Sequence, residues 1–497
     1  MKYKLLLLFP LFYFLILLLQ PTIEMAEDLG RQIKMGEVIL KCQCIPQENH
    51  FSYTNTHFPA VNYYWLSSVI FYAFSSIFGI KSLFFLKIVI YQAIFIVLFL
   101  SLSKKISVFW FAVFMIVVVN IFSNRLVLRP EIFSFLFLSL FILIIEKFKQ
   151  NRNYKLIYFL PLIQLLWVNT HVFFFIGPLV YLFFLIEQFI ISRALINVKV
   201  ISVFFFIILA CVLNPQFLIG AVYPFLVFNS YGPQINENFS PFSSNSLFLA
   251  DYSYYIWFFE LTIALFIVGI LSNIKKIPIF LCLNTLFFMF LSFVMVRAFP
   301  LFAFASIVPL SIMFSYIELK IISKDRQTAF LIKTLIIIGL SIIVTYNLSA
   351  FFMQKKISPH FIVDKLNGID FVEKNGIKGP LFNSLGIGGY VIYKLYPAEK
   401  VYIDARPDAY PLNFMSSYQE HFTNPMFFQQ QLVKHKFNTL IIAKDENYYW
   451  THNLIAYLIK RREWVVVYED NFTSVLVKDN SVNKHIIERF RKTKKNE

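Results

Sequence analysis

Leu83-Phe-Phe-Leu-Lys-Ile-Val-Ile-Tyr-Gln-Ala-Ile-Phe-Ile-Val-Leu-Phe-Leu-Ser-Leu102 carries one charge, Lys87, in its whole length. As a helix rising about 1.5 Å per residue, the run would reach ~30 Å, the depth of a bilayer's hydrocarbon. A helix apolar on every face over that length belongs in lipid or deep in a core. Ten more apolar stretches follow the same reading: 5–19, 106–122, 132–145, 156–171, 173–191, 200–219, 252–272, 277–295, 299–317 and 329–350. Together they predict a polytopic α-helical membrane protein with eleven spans. Composition agrees, since 58% of the chain is hydrophobic, 15% is charged and 62 residues are Phe. A soluble enzyme is excluded, because globular domains run near 25% charged.

The first stretch follows Lys2 and Lys4 as a signal peptide would, but Gln20-Pro-Thr-Ile-Glu24 lacks the small residues of a cleavage site. A retained anchor is therefore expected. With the amino terminus cytoplasmic, Lys104, Lys105, Lys147, Lys149, Arg152, Lys155, Arg193, Lys199, Lys275, Lys276, Lys320, Lys324, Arg326 and Lys333 fall on the cytoplasmic side. That side then holds 16 basic and four acidic residues, against eight basic and nine acidic on the outer side. Such asymmetry is the positive-inside pattern. Most of the net charge of +17 is thus a topological signal rather than a basic face for nucleic acid. An odd number of crossings puts the carboxyl terminus outside.

This reading gives a transmembrane domain, 1–352, with external loops at 20–82 and 220–251, and an extracytoplasmic α/β domain, 353–497. The first loop ends in the hydroxyl-rich apolar run Trp65–Gly79, expected to lie as a helix in the interface. Strands are expected at 379–383, 389–393, 400–404, 438–443, 464–469 and 473–478, with helical stretches at 364–376, 424–436 and 447–462. The last dozen residues are mostly charged and are expected to be disordered. Cys211 and Cys282 read as packed side chains. Cys42 and Cys44 are spaced too closely for an easy disulfide and lack a second pair for zinc.

Polar groups at a membrane's edge are costly and mark function. Glu27 and Asp28 open the first loop, where a partly desolvated carboxylate could serve as a general base; an ordinary hydrated loop acid is the simpler reading. Arg125, Arg129 and Arg297 sit in otherwise cation-poor outer turns, and a guanidinium fork suits phosphate oxygens. Snorkelling, or pairing with Asp28, Glu131 or Glu237, would account for them as well. Asn169 and His171 close the fifth stretch, Asn214-Pro215 breaks the seventh, and Glu237 follows in the second loop. In the tail, Asp404, Arg406, Asp408 and Tyr410 follow an expected strand, where α/β sheets bind ligands. An internal salt bridge competes with acceptor binding there. Gly386-Ile-Gly388-Gly389 is too little for a nucleotide site.

A resemblance rests on these residues together. Asp28-Leu-Gly-Arg31, Gly36, Ile45-Pro46, Phe51-Ser-Tyr-Thr54, Asn62 and Trp65-Leu66, followed by Arg129-Pro130, Trp167-x-Asn169-x-His171, Asn214-Pro215, Glu237, Gly388-Gly-Tyr390 and Asp404-x-Arg406, occur in the order seen in a group of bacterial GT-C-like proteins. The chain resembles the GT-C superfamily of membrane glycosyltransferases over nearly its whole length. Each motif is weak alone, and the order is specific. Val172 stands where the group commonly has Gly, Asn238 replaces an aromatic, and the paired acids are Glu27-Asp28.

The resemblance implies an inverting glycosyltransferase of the bacterial cytoplasmic membrane, taking sugar from a polyprenyl-phosphate donor to an extracytoplasmic acceptor: glycan, lipid or protein. Asp28, or its neighbour Glu27, would be the base. Arg297, Arg129 and Arg125 would hold the donor phosphate, and Asn169, His171 and Glu237 would orient sugar or acceptor hydroxyls. Asp404, Arg406 and Tyr410 are candidates for the external domain. Mg²⁺ or Mn²⁺ could bridge Asp28 and the phosphate, since oxygen ligands suit them. The competing class is a lipid-linked glycan transporter or a non-catalytic envelope-assembly protein. No internal repeat of the transporter kind is visible, and an acid opening the first loop favours an enzyme.

Overall fold

The computed structural model describes every residue except 1, 21–24, 104–105, 193–196, 232–235, 244–245, 274–278, 354–365, 447 and 497. Lys104, Lys105, Arg193, Lys275 and Lys276 of the charge pattern lie outside the described residues. The chain forms two compact units, one of Met1–Pro21 with Leu83–Pro359 and one of Thr22–Ser82 with His360–Glu497.

In order, the helices are α1 (Leu8–Leu18), α2 (Gly30–Cys42), α3 (Trp65–Phe78), α4 (Ser82–Ser101), α5 (Val108–Val119), α6 (Glu131–Asn151), α7 (Tyr154–Ile157), α8 (Leu160–Val168), α9 (Ile176–Ser192), α10 (Val198–Val212), α11 (Phe217–Tyr231), α12 (Ser246–Asn273), α13 (Ile279–Val294), α14 (Phe299–Lys324) and α15 (Arg326–Met353). The rest of the chain adds α16 (Asn367–Lys374), β1 (Leu381–Asn383), α17 (Gly388–Leu395), α18 (Leu412–Ser416), α19 (Glu420–Thr423), α20 (Pro425–His435), β2 (Thr439–Ala443), α21 (Tyr448–Lys460), β3 (Trp464–Glu469), β4 (Thr473–Lys478) and α22 (Lys484–Asn496).

In the first unit each of the eleven expected stretches is helical over most of its length. Among the described residues, five helices are long and apolar enough to cross a membrane: Ser82–Ser101, Val172–Ile191, Ser253–Asn273, Val296–Lys324 and Arg326–Ala350. Helix α6 has the length but carries Glu131, Glu146, Lys147 and Lys149, and other apolar helices stop short. The spans differ in their surroundings. The core of Val296–Lys324 is 94% buried, whereas that of Arg326–Ala350 is 11% buried and presents its apolar surface outward.

The expected seventh span is not straight. Helices α10 and α11 meet at 87° across Leu213-Asn-Pro-Gln216. Pro215 has no N–H to continue the ladder. Asn214 fills the gap, donating to Cys211 O (3.0 Å) and Phe217 O (2.8 Å) and accepting from Gln216 N (2.9 Å). Residues 217–231, expected at the end of a span and the start of a loop, are instead helix α11.

In the second unit the strands run in the order β1-β2-β4-β3, with β1 and β2 parallel and the other pairs antiparallel. Phe382, Tyr402, Phe422, Phe428, Phe437, Leu440 and Leu458 belong to its core. Two expected strands are corrected. Gly389–Tyr393 lies in α17, because its Tyr, Val and Ile satisfy a strand pattern and one helix face equally in so short a run. Residues 400–404 have only a bridge from Val401 to Ser52. That bridge, with Tyr53 Oη donating to Leu381 O (2.9 Å) and Asn49 Nδ2 to Ala409 O (2.9 Å), knits the first-loop segment to the tail.

Two further expectations fail. The charged terminus is helical as α22, anchored by the buried Ile486 and Ile487. Cys42 and Cys44 form a disulfide with Cα atoms 5.1 Å apart. The chain reverses between them because Gln43 adopts a left-handed conformation (φ 53°) after α2, a common way for a helix to end.

Candidate functional site

In the first unit, short turns deliver charged side chains to one place. Arg125 ends a single 3₁₀ turn, Ser123–Arg125. Arg129 precedes Pro130, and Glu131 is the first residue of α6, where a helix N-terminus favours an acid. Arg297 lies on the turn Val296–Ala298 before α14, and Glu237 on the turn Asn236–Asn238. The last two turns are joined by Val296 N donating to Phe239 O at 3.1 Å.

Glu237 bridges two of these arginines, Arg125 at 3.1 Å and Arg129 at 3.0 Å. Glu131, 1% exposed, faces Arg125 at 3.3 Å and Arg297 at 3.6 Å. Burial alone would raise the Glu237 carboxyl. Arg125, Arg129 and Arg297 overcome that and hold it well below the ordinary carboxylate range. Among the described residues, three guanidiniums thus gather around two carboxylates. The buried Arg125 Nε and Arg297 Nε have no hydrogen-bond acceptor, and such orphaned donors are costly.

His171 belongs to the same neighbourhood, since its ring and the Arg297 guanidinium both face Phe173, at 4.7 and 5.4 Å. Trp167 Nε1 donates to Ser134 Oγ (2.7 Å), which turns the Ser134 hydroxyl toward His171 Nδ1 (2.8 Å). Asn169 is committed elsewhere. Its amide donates to Leu165 O (2.8 Å) and Leu213 O (3.0 Å), tying the end of α8 to the α10 break. Two residues that sequence reasoning passed over support the arginines. From α4, Lys87 Nζ donates to Leu126 O (3.2 Å) and Tyr91 Oη to Arg125 O (3.2 Å). Their signal was visible, a lone lysine and a tyrosine four residues apart on one helix face.

The second cluster, in the other unit, is built around Asp28. It lies on a π-helical turn, Met25–Leu29, that enters α2. The first residues of α17 cross this turn backbone to backbone. A Cβ on Gly389 would stand 2.2 Å from Glu27 O, and one on Gly30 would stand 2.8 Å from Gly389 O, so the crossing requires glycine in both segments. Arg31 Nη2 donates to Asp28 Oδ1 at 2.8 Å. Asp28 keeps 23% of its side chain exposed.

Asp404, Arg406 and Tyr410 are buried beside it. Arg406 grips Asp404 with Nε–Oδ1 and Nη2–Oδ2 contacts of 2.7 Å each, and Tyr410 Oη donates to Asp404 Oδ2 at 2.9 Å. Burial opposes the Asp404 charge, but Arg406 and then Arg31 hold its pKa below the ordinary value. These three side chains therefore make the internal salt bridge that competed with acceptor binding. The glycine loop after β1 is also closed from within, because Gly386 N donates to Glu446 Oε2 at 3.0 Å. Among the described residues no three His, Cys, Asp or Glu side chains converge as a metal site.

No family model matches the sequence, and no curated protein matches it significantly. Solved structures do. An archaeal oligosaccharyltransferase, AglB from Archaeoglobus fulgidus, in complex with an inhibitory peptide and a dolichol-phosphate, superposes with a TM-score of 0.65 at 12% identity, over 90% of this chain and 70% of that one. ArnT from Cupriavidus metallidurans bound to undecaprenyl phosphate gives a TM-score of 0.54 at 10% identity, over 96% of this chain and 98% of that one. The apo ArnT structure matches over the same shares with a TM-score of 0.53. The chain has the GT-C fold.

Proposed function

We propose, starting from the GT-C fold shared with these two membrane enzymes, that the chain is a membrane glycosyltransferase using a polyprenyl-phosphate-linked sugar and an extracytoplasmic acceptor. The observation that carries this reading is the convergence of three guanidiniums, the buried Arg125 with the half-buried Arg129 and Arg297, around Glu131 and Glu237. A lipid-linked phosphate is the anion that complements it at a membrane, and charge-assisted hydrogen bonds to guanidinium are among the stronger ones.

In this mechanism the arginines receive the donor's phosphate, and Asp28 takes the proton of the acceptor hydroxyl. The acceptor oxygen forms a bond to the anomeric carbon from the face opposite the phosphate. The anomeric carbon–oxygen bond breaks with its electron pair going to the phosphate, which leaves as an anion and needs no general acid. The configuration inverts. His171 and Glu237 orient sugar hydroxyls. Asn169 acts by holding the α8–α10 junction. A divalent ion, were one bound at Asp28, would supply further charge neutralisation. The membrane of residence is the bacterial cytoplasmic membrane, with residues 353–497 outside.

The test is transfer of radiolabelled sugar from a polyprenyl-phosphate hexose or pentose by the purified protein in lipid vesicles. Transfer that collapses in Asp28→Asn and needs more donor in Arg297→Gln is expected. Transbilayer movement of the lipid without any sugar transfer would replace this reading with that of a transporter.

A further inference from the structure

Asp404 and Arg406 are closed off from solvent, at 0% and 4% exposure, and their surroundings give them a use other than contact with an acceptor. Arg31, 3% exposed, faces three groups. Nη2 donates to Asp28 Oδ1 and Nη1 to Tyr64 Oη, both at 2.8 Å, while Nε looks toward Asp404 Oδ1 at 3.9 Å. That Nε has no hydrogen-bond acceptor, so Asp404 acts on it through charge. Asp404 is itself immobilised by Arg406 and Tyr410, and Arg406 Nη2 donates onward to Asn49 Oδ1 at 2.8 Å. Asn49 is fixed in turn by its bond to Ala409 O.

We infer that Asp404 and Arg406 are positioning residues for Asp28, acting through Arg31. This rests on the reading of Asp28 as the base. An arginine beside a single carboxylate tends to close on it with two parallel bonds. Such a pairing would occupy both oxygens of a base. Here the guanidinium is stacked against Tyr64, 5.2 Å from the ring centre, and its far edge is drawn toward a second carboxylate that cannot move. Arg31 therefore reaches Asp28 Oδ1 with one nitrogen. The tail thereby sets the geometry of an acid that belongs to the opening segment of the chain. It does so with the Asp-x-Arg pair for which the sequence offered both acceptor binding and an internal salt bridge.

The experiment uses the full chain in lipid nanodiscs, labelled at one fixed pH with a water-soluble carbodiimide and glycinamide, with the extent of modification at Asp28 read by peptide mass spectrometry. In Asp404→Asn, Arg31 closes on Asp28, and labelling falls about 10-fold to 150-fold, the effect of one added charge-assisted hydrogen bond. Arg31→Gln raises labelling above the wild-type level, and Asp404→Glu restores it. Thermal melting shows which variants fold. Asp404→Asn/Arg406→Gln, which buries no lone charge, is expected to fold and to show the same protection, so it carries the test if the single variant does not fold. With a polyprenyl-phosphate hexose as donor, the folded variants lose about 10-fold to 100-fold in kcat at unchanged KM, as for a misplaced reacting group. Wild-type labelling of Asp28 in folded Asp404→Asn, or in folded Asp404→Asn/Arg406→Gln, would overturn the inference. Absence of sugar transfer by the wild-type protein would instead overturn the proposed function and leave the labelling result standing.

Discussion

The chain holds two clusters of arginine and acid, and they are built on opposite principles. Around Asp404 the donors are paired at short range. Arg31 and Arg406 meet Asp28 and Asp404 at 2.7–2.8 Å, and the Arg31 Nε edge stands 3.9 Å from Asp404. Around Glu237 three arginines gather on Glu237 and Glu131 at 3.0–3.6 Å, and among the described residues the Arg125 and Arg297 Nε atoms have no acceptor. A closely paired buried network fixes one geometry, whereas donors still lacking acceptors have capacity for an anion from outside. The first arrangement suits the holding of a base, the second the receipt of a phosphate.

The largest expected effect separates the two roles. Asp28→Asn should lower kcat for sugar transfer about 10²–10⁴-fold while leaving binding of a polyprenyl phosphate unchanged, measured by turnover and by lipid binding in nanodiscs. A loss confined to binding would put Asp28 with the wrong cluster. Next is stability. Asp404→Ala strands the Arg406 charge, and breaking a buried pair costs about 3–5 kcal/mol, to be read as a drop in the denaturation midpoint.

Acid should also distinguish the clusters. Burial lowers His421 to about 4, and its neutral ring is held between Tyr418 O (2.8 Å) and Tyr402 Oη (2.7 Å). Unfolded, it titrates near 6.5, so its contribution is fully present above that pH. It is lost as pH falls from about 6.5 toward 4, to the extent of about 3 kcal/mol. His435, also lowered to about 4, adds in the same direction. The guanidiniums around Glu237 keep their charge across this window, as does Glu237 itself. Melting curves at pH 7 and pH 5 should therefore differ for the wild type, and the difference should shrink in His421→Gln. The smallest effect concerns the arginines around Glu237. Arg297→Gln should weaken polyprenyl-phosphate binding by about 1.5–3 kcal/mol, the worth of a hydrogen bond to a charged group. Glu237→Gln should strengthen it, because a competing internal anion is removed.

Periodicity and composition located all eleven apolar stretches and the strands 438–443, 464–469 and 473–478, because a continuous apolar or β-branched run is written residue by residue. The pairing of acids with arginines was foreseen as an alternative and is what the structure shows. Long-range partnership was not legible. Nothing local in Asn49 says that it will accept from Arg406, 357 residues away. Nor does the alternation in Gly389–Tyr393 say that a helix must start there so that Gly389 can cross Glu27. Short segments obey their tertiary partners, and those partners lie at the other end of the sequence.

That separation bears on how the protein is made. The unit around Asp404 is assembled from residues 22–82 and 360–497, so its first part is synthesised long before its second. At about 5–20 residues per second, some tens of seconds pass before β1 and α17 exist for α2 and the Met25–Leu29 turn to pack against. During that interval Arg31 lacks Asp404 and Gly30 lacks Gly389. Ribosomes stalled or chains truncated anywhere in the membrane unit would leave this segment without its other half, a state open to chaperones and proteases.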